Sequence, residues 1–368
     1  MKELFSQTML GPISLRNRFI RSATWEGMAS EDDGSVTESL IEYYKTLASG
    51  GVALIITGYT YIDPAGKASP RMLAIDSDHL ISGLSKLTEA VHQRNAKIIL
   101  QLAHGGSQTK YETGLPKVAP SAVQERSTGV VPKQLSKDEI KTLIDRFTEA
   151  AKRAYKAGFD GIQLHAAHGY LLSQFLSSYS NRRTDEYGGP IENRARIIFE
   201  IYESIRNSLS RDFAILIKIN CSDFDEEKGF TPEESLWVCE KLSEMGIDAI
   251  ELSGGIPAAG SMSPARTKIN SPETEAYFRD YAKAFKPHLR CPLILVGGIR
   301  SIQTIETLYK NNVADFFSMS RPLISEPDLI NRWAGGNTEK ARCISCNKCF
   351  RAAIKGKLYC VNFTEKLQ

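Results

Sequence analysis

Two histidines and a tyrosine stand together where an apolar run stops, in Gly161-Ile162-Gln163-Leu164-His165-Ala166-Ala167-His168-Gly169-Tyr170. Imidazoles and a phenol at such a terminus need polar partners, and they can hydrogen-bond a ligand oxygen or hand over a proton. An H-x-x-H pair can also hold a metal. No carboxylate or third histidine follows nearby in the sequence to complete a ligand set, so paired donors toward a ligand oxygen are preferred. Tyr170 reads either as a proton donor in a dry pocket or as a packed core tyrosine. Lys218, inside the apolar run 214–219, must find an anion or shift its pKa toward Schiff-base chemistry. A structural ion pair with Glu251, one apolar run further on, is the competing reading. Gly297-Gly298 ahead of Arg300-Ser301, and Ser320-Arg321 one unit later, offer backbone N–H groups and a guanidinium that suit a phosphate. Without Arg321 the glycines would read only as a tight turn.

These residues need a scaffold that gathers them. Apolar runs over 17–24, 52–57, 97–102, the run ending at His165, 214–219, 249–253, 292–296 and 314–318 read as strands. Helical patterns separate them: one capped by Thr37 and ending at Gly50-Gly51, one opening at Ser77-Asp78, and one behind the Ser136/Glu139 capping-box pattern that Gly158 closes. Further helices are expected over 191–208, from about Pro232, over 273–285 and from Ser301. A polar stretch from Gly105 to about Pro132 reads as an extended loop over one end.

Eight strand-then-helix units with short connections predict an α/β fold, a (β/α)8 TIM barrel. A doubly wound open sheet is the competitor, but no G-x-G-x-x-G follows the first strand. In a barrel the carboxyl ends of the strands, here Thr24, Thr57, Gln101, His165, Lys218, Ser253, Gly297 and Ser320, converge on one face.

The chain has 368 residues and a net charge of +3 that reads as dispersed, with no basic block, so neither nucleic acid nor an anionic membrane is expected as a partner. No signal-peptide-like segment or bilayer-length apolar run is visible, and a cytoplasmic location is expected. Of seven cysteines, Cys343, Cys346, Cys349 and Cys360 crowd together near the end. In a reducing compartment such clustering suits metal more than disulfides.

His165-Ala166-Ala167-His168-Gly169-Tyr170-Leu171, Phe175-Leu176-Ser177, Asn181-Arg182-Arg183-Thr184-Asp185-Glu186-Tyr187-Gly188-Gly189 and Glu192-Asn193-Arg194 resemble the signature of the Old Yellow Enzyme family. Asn17-Arg18-Phe19, Gln101-Leu102-Ala103-His104 and the two phosphate-type loops match in the same order. The resemblance implies an FMN-binding barrel, an NAD(P)H:flavin oxidoreductase of the ene-reductase type, acting on a small molecule with an activated alkene. It implies that His165 and His168 bind the substrate carbonyl oxygen and that Tyr170 donates a proton. It further implies that Gln101 and Lys218 contact the flavin ring, that Ser22, Ala23, Thr24 and Gly58 line it, and that Gly298, Ser320 and Arg321 hold the phosphate. Trp25 stands where relatives commonly carry a small threonine or cysteine, and Lys218 where arginine is usual, which bears on pocket size and flavin potential.

The cysteine-rich segment resembles the cluster-binding part of the 2,4-dienoyl-CoA reductase and trimethylamine dehydrogenase branch, without that branch's C-terminal nucleotide-binding region. Residues 1–330 are therefore expected to form the barrel and 331–368 an extension packed on it. The four thiols admit a [4Fe–4S] cluster serving a separate electron-transfer partner, a structural Zn2+, or an unoccupied remnant. Two further functional readings stay open: a flavin and iron–sulfur electron-transfer protein without alkene turnover, and a flavin-free Schiff-base lyase using Lys218. A homo-oligomer is compatible with all of them.

Overall fold

In the computed structural model, which describes residues 1–109, 111–225 and 228–363, eight parallel strands close on themselves. They are β1 (Phe19–Arg21), β2 (Leu54–Ile56), β3 (Lys97–Ala103), β4 (Gly161–Ala166), β5 (Ala214–Asn220), β6 (Ala249–Ser253), β7 (Leu293–Leu295) and β8 (Phe316–Met319). Each pairs with the next, and β8 pairs back onto β1, so no edge is left open. The outer layer follows as α1 (Glu38–Ser49), α2 (Ile81–His92), α3 (Lys137–Lys156), α4 (Arg196–Ser208), α5 (Pro232–Met245), α6 (Arg279–Phe285), α7 (Ile302–Lys310) and α8 (Leu329–Ala334). This is the (β/α)8 barrel that the alternation predicts.

Local chemistry fixes the ends of α1, α3 and α5, whereas no side-chain cap opens α2, α4, α6, α7 or α8. The Thr37 hydroxyl accepts from the Leu40 amide, reciprocal capping boxes open α3 at Ser136/Glu139 and α5 at Thr231/Glu234, and Gly246 closes α5 in the left-handed region. Three expectations change. The 191–208 pattern is split at Ala195 into Ile191–Arg194 and α4. A 3₁₀ turn, Asp78–Leu80, precedes α2. The helix expected over 273–285 begins only at Arg279. Before it, the buried Glu275 carboxylate accepts from the Arg300 and Ser301 amides (2.8 and 2.9 Å) and the Ser301 hydroxyl (2.5 Å). That tertiary anchor overrides local helical pattern. Within the 105–132 loop, Val118–Ala119 pairs with Lys133–Gln134.

The barrel interior is graded. An apolar cluster of Ile20, Leu54, Ile56, Ile99, Ala214, Leu216, Ala249, Ile294 and Phe316 joins Leu10, Ile13 and Leu15 of an N-terminal hairpin, Thr8–Leu10 with Ile13–Leu15. That hairpin closes one end with hydrocarbon, so polar interior residues are confined to the opposite, carboxyl-terminal end. No helix among the described residues is long and apolar enough to cross a membrane.

After α8 the chain returns across the barrel. The Ala341 amide bonds the Arg300 carbonyl at 2.8 Å, and a short helix, Cys349–Ile354, follows. Ala353, Leu358 and Cys360 bury themselves against Ile324, with Trp25 and Tyr43 beside them. The approach is close enough that a Cβ on Gly27 (φ +65°) would lie 2.2 Å from the Ala353 carbonyl oxygen. Residues 364–368 of the expected extension lie outside the described residues.

Candidate active site

The carboxyl ends of the strands surround a cavity of about 480 Å³. Its wall includes Ser22, Ala23, Thr24, Gln101, His165, His168, Tyr170, Lys218, Gly298, Ser320 and Arg321, residues separated by up to some 300 positions in sequence. Gly58 is not among the lining residues. Its amide donates to the Glu26 carboxylate at 3.0 Å, behind the wall. Thr57 is likewise turned to structure, its hydroxyl accepting from the Gln101 amide at 3.1 Å.

The polar floor is built by strand register. His165 on β4, Lys218 on β5 and Glu251 on β6 are consecutive partners across the ladder. Glu251 is fully buried, and its carboxylate accepts from Ser22 (2.6 Å), Ser318 (2.7 Å) and Gln163 (2.8 Å), with the Lys218 ammonium at 3.2 Å. Burial opposes its ionisation, but Lys218 and these hydrogen bonds outweigh it and hold the carboxyl below its ordinary range. Lys218 also donates to Ser22 at 2.9 Å, and burial lowers its pKa against the pull of Glu251. Gln101 donates to Gln163 at 2.8 Å, extending the network to β3.

Above this floor the two imidazoles stand nearly perpendicular, ring centres 5.2 Å apart, and Tyr170 packs 4.9 Å from His165. The turn carrying them is unusual. His168 has φ +63°, and its amide is held by the Asn220 side-chain oxygen at 3.2 Å while its Nε2 meets the Ser253 hydroxyl at 2.7 Å. His165 Nδ1 is buried without a protein partner, an orphan that a ligand oxygen or donor would satisfy. Burial, then the charges of His168 and Lys218, push His165 well below the ordinary histidine range. Burial and Lys218 lower His168 to about 3. Both rings are therefore neutral near pH 7, each with one N–H to donate. Burial raises the Tyr170 phenol, which stays protonated.

Tyr59, which sequence reasoning did not single out, packs 5.4 Å from Tyr170 and bonds Ser69 at 2.6 Å. Tyr277, Ser345 and Phe350 also line the cavity. No local periodicity marks these residues, and the last two come from the cysteine-rich extension. At the far end Gly297 (φ +120°) and Gly298 (φ +71°) lie against Tyr277, where a Cβ on either would stand within about 3 Å of its ring. The amides of Arg300 and Ser301 are taken by Glu275, so the start of α7 is already neutralised by a carboxylate. Gly298, Ser320 and Arg321 line the cavity at this end. Arg321 donates to the Arg266 carbonyl at 2.8 Å and to Asn347 at 2.6 Å.

All four cysteines of the extension, Cys343, Cys346, Cys349 and Cys360, line a second, small cavity of about 20 Å³, which Arg321 also borders. The Cys343 sulfur accepts from the Ser345 amide and the Cys346 sulfur from Asn362. Among the described residues no group of three or more His, Cys, Asp or Glu side chains is gathered to hold a single metal ion, His165 and His168 included. Trp25 lines the first cavity, packs, as Cys349 does, against the cluster of Ile324, Ala353, Leu358 and Cys360, and has a buried indole N–H without a partner among the described residues.

The buried neutral imidazoles have a thermodynamic consequence. His104, lowered to about 4 by burial and then Lys117, joins His165 and His168. Below about pH 6.5 the unfolded chain protonates these three and the folded chain does not, so stability falls with pH. Asp223, raised to about 6 by burial, works the other way, as do Asp76 and Asp248, whose carboxyls burial also raises, while Glu251, Asp160 and Asp33 are held below their ordinary range and add to the fall. The urea midpoint is expected to drop steadily from pH 6.5 toward pH 4; a midpoint that rises over that interval contradicts the neutral-imidazole assignment.

Residues 3–339 match the family described as NADH:flavin oxidoreductase / NADH oxidase. The chain is 38% identical over 349 residues to an NADH oxidase of Thermoanaerobacter brockii, covering 94% of this chain and 52% of that protein. It thus spans about half the length of that relative. It superposes on 2-naphthoyl-CoA reductase with a TM-score of 0.89 at 25% identity, covering 97% of this chain and 56% of the other. For the Old Yellow Enzyme homologue of Zymomonas mobilis the TM-score is 0.78 at 29% identity, with 92% and 94% covered.

Proposed function

Because this chain belongs to the NADH:flavin oxidoreductase / NADH oxidase family, we propose that it is an FMN-dependent ene-reductase that draws on NAD(P)H and acts on an α,β-unsaturated carbonyl compound. FMN, when bound, supplies the hydride chemistry: it takes hydride from NAD(P)H and delivers it to the β-carbon of the alkene. The observation that carries the reading is the convergence of His165, His168 and Tyr170 on one cavity above Gln101 and Lys218.

Two neutral N–H donors aimed at a substrate carbonyl oxygen draw electrons from the alkene and favour attack at its β-carbon. The protonated Tyr170 phenol beside them supplies the α-carbon proton. Ser22, Ala23, Thr24, Gln101 and Lys218 would hold the flavin ring, and Gly298, Ser320 and Arg321 its phosphate. Gly58 would act from behind, through Glu26. Lys218 contributes a fixed positive charge at the floor. Its ion pair with Glu251 argues against a Schiff-base lyase, which needs a neutral, mobile amine.

Residues 331–368 serve, in this reading, as an extension carrying a [4Fe–4S] cluster on Cys343, Cys346, Cys349 and Cys360. What supports this is that all four thiols line one cavity, the all-cysteine ligand set that a [4Fe–4S] cluster takes; a structural Zn2+ on the same four thiols is the alternative that the metal assay decides.

The test is an anaerobic visible spectrum with iron and zinc assayed on the same sample. The expected result is a flavin band bleached by NADH or NADPH and restored by an enone, with added broad absorption and about four irons per chain. A colourless protein that takes up no FMN overturns the reductase; zinc without iron overturns the cluster.

A further inference from the structure

The outer surface of the extension differs from the rest of the molecule. Between residues 340 and 363 the chain carries Lys340, Arg342, Lys348, Arg351, Lys355 and Lys357 and no aspartate or glutamate. All six are exposed. Since the whole chain balances at +3, the remainder is net acidic, and the charge that reads as dispersed along the sequence is in fact gathered on this segment. Arg342 has Glu326 at 3.9 Å, and Arg71 at the edge pairs with Glu31. Among the described residues Lys348, Arg351, Lys355 and Lys357 form no ion pair.

Apolar side chains are exposed in the same stretch: Ile344 (50%), Phe350, Ile354 (59%), Tyr359, Val361 and Phe363. They make up half of the large hydrophobic side chains exposed among the described residues. Isolated exposed hydrophobics mean little, but apolar groups concentrated in one short segment and interleaved with one sign of charge mark an interaction surface. Ile344, Lys348 and Val361 also line the cavity of the four cysteines, and Cys346 and Cys349 are partly exposed there.

We propose that this face docks an acidic electron-carrier protein. The proposal rests on the redox reading of the cysteine cavity given above. Four cations without an ion pair among the described residues, in a segment that carries no acidic residue between positions 340 and 363, steer an acidic surface, and the exposed Ile, Phe and Val groups supply the desolvated contact. An anionic membrane fits less well, because basic and apolar residues alternate along the segment instead of dividing between two faces of a long amphipathic helix; the helix here is six residues, Cys349–Ile354. A second copy of the chain would set cations against cations. The electron balance is closed by the family's reductant: NAD(P)H yields two electrons and becomes NAD(P)+ with release of one proton, and two one-electron carriers are each reduced once.

The test uses the holoprotein without oxygen and two probes of opposite charge, an acidic b-type cytochrome and a basic c-type cytochrome. Binding is measured by sedimentation with every protein oxidised, so the readout needs no turnover, and reduction by NAD(P)H is followed separately. The expected result is binding of the acidic cytochrome at about 0.02 M salt that weakens at least about tenfold by 0.5 M, with little binding of the basic one. The Arg351→Glu/Lys355→Glu/Lys357→Glu variant is expected to reverse the preference while retaining its melting temperature and enone reduction. Equal binding of both cytochromes, or unchanged binding by the variant, overturns the proposal. Self-association abolished by the variant, or binding to phosphatidylserine vesicles in place of cytochrome, overturns it in favour of those occupants. If the cytochrome fails to bind while flavin, iron and enone turnover are all present, docking fails and the enzymatic reading stands.

Discussion

Tyr170→Phe is expected to lower kcat for enone reduction by about 10²–10⁴-fold, the range that loss of a positioned general acid costs. The substitution removes one hydroxyl and keeps the ring that packs against His165 and Tyr59, so the fold and the cavity shape persist. Reduction of the protein by NAD(P)H, a hydride transfer that needs no proton from Tyr170, is expected to remain near the wild-type rate in stopped flow. The separation of the two half-reactions is the discriminating feature, since a merely structural tyrosine would slow both or neither. Because burial holds the phenol protonated above its ordinary range, wild-type kcat is expected to show no loss from tyrosine ionisation at pH 9. A variant with wild-type kcat would remove Tyr170 from the mechanism and turn attention to Tyr59.

The site was legible in sequence where its residues end strands. His165, Lys218 and Ser253 each stand at the polar end of an apolar run, and a barrel gathers such ends without further information. The reading ran out where a side chain is satisfied by something far away in the chain. Residues 273–278 carry a helical pattern, yet Glu275 instead holds the amides before α7, a demand set by Arg300 and Ser301 and invisible to local periodicity. Gly58 lies beside the wall and not in it, because its neighbour is the Glu26 carboxylate. Ser345 and Phe350 line the cavity from the cysteine-rich extension, and nothing in their spacing shows that this segment returns to the barrel mouth. The basic face escaped for a related reason. Its lysines and arginines are spaced among Ile, Phe and Ala, so no block exists until the chain compacts.

Glu251 is where the fold and the chemistry depend on the same atoms, and Glu251→Ala is expected to cost about 3–5 kcal/mol of stability, the usual penalty for leaving a buried partner charge unmatched. The carboxylate is fully buried and joins β4, β5, β8 and the residue just after β1 to β6 through Gln163, Lys218, Ser318 and Ser22. Without it the Lys218 ammonium keeps only the Ser22 hydroxyl, and burial, no longer opposed, drives it toward the neutral amine. The floor then loses its positive charge, so weaker retention of FMN is expected alongside the lower urea midpoint. Adding Lys218→Met separates the causes. If the penalty is the stranded charge, the double variant recovers part of the stability lost by Glu251→Ala, because two absent charges need no partner, while FMN retention stays poor. If the penalty is only the lost hydrogen bonds of Ser22, Ser318 and Gln163, the second substitution adds to the damage. A single variant within about 1 kcal/mol of wild type would show instead that water enters the floor and replaces the carboxylate.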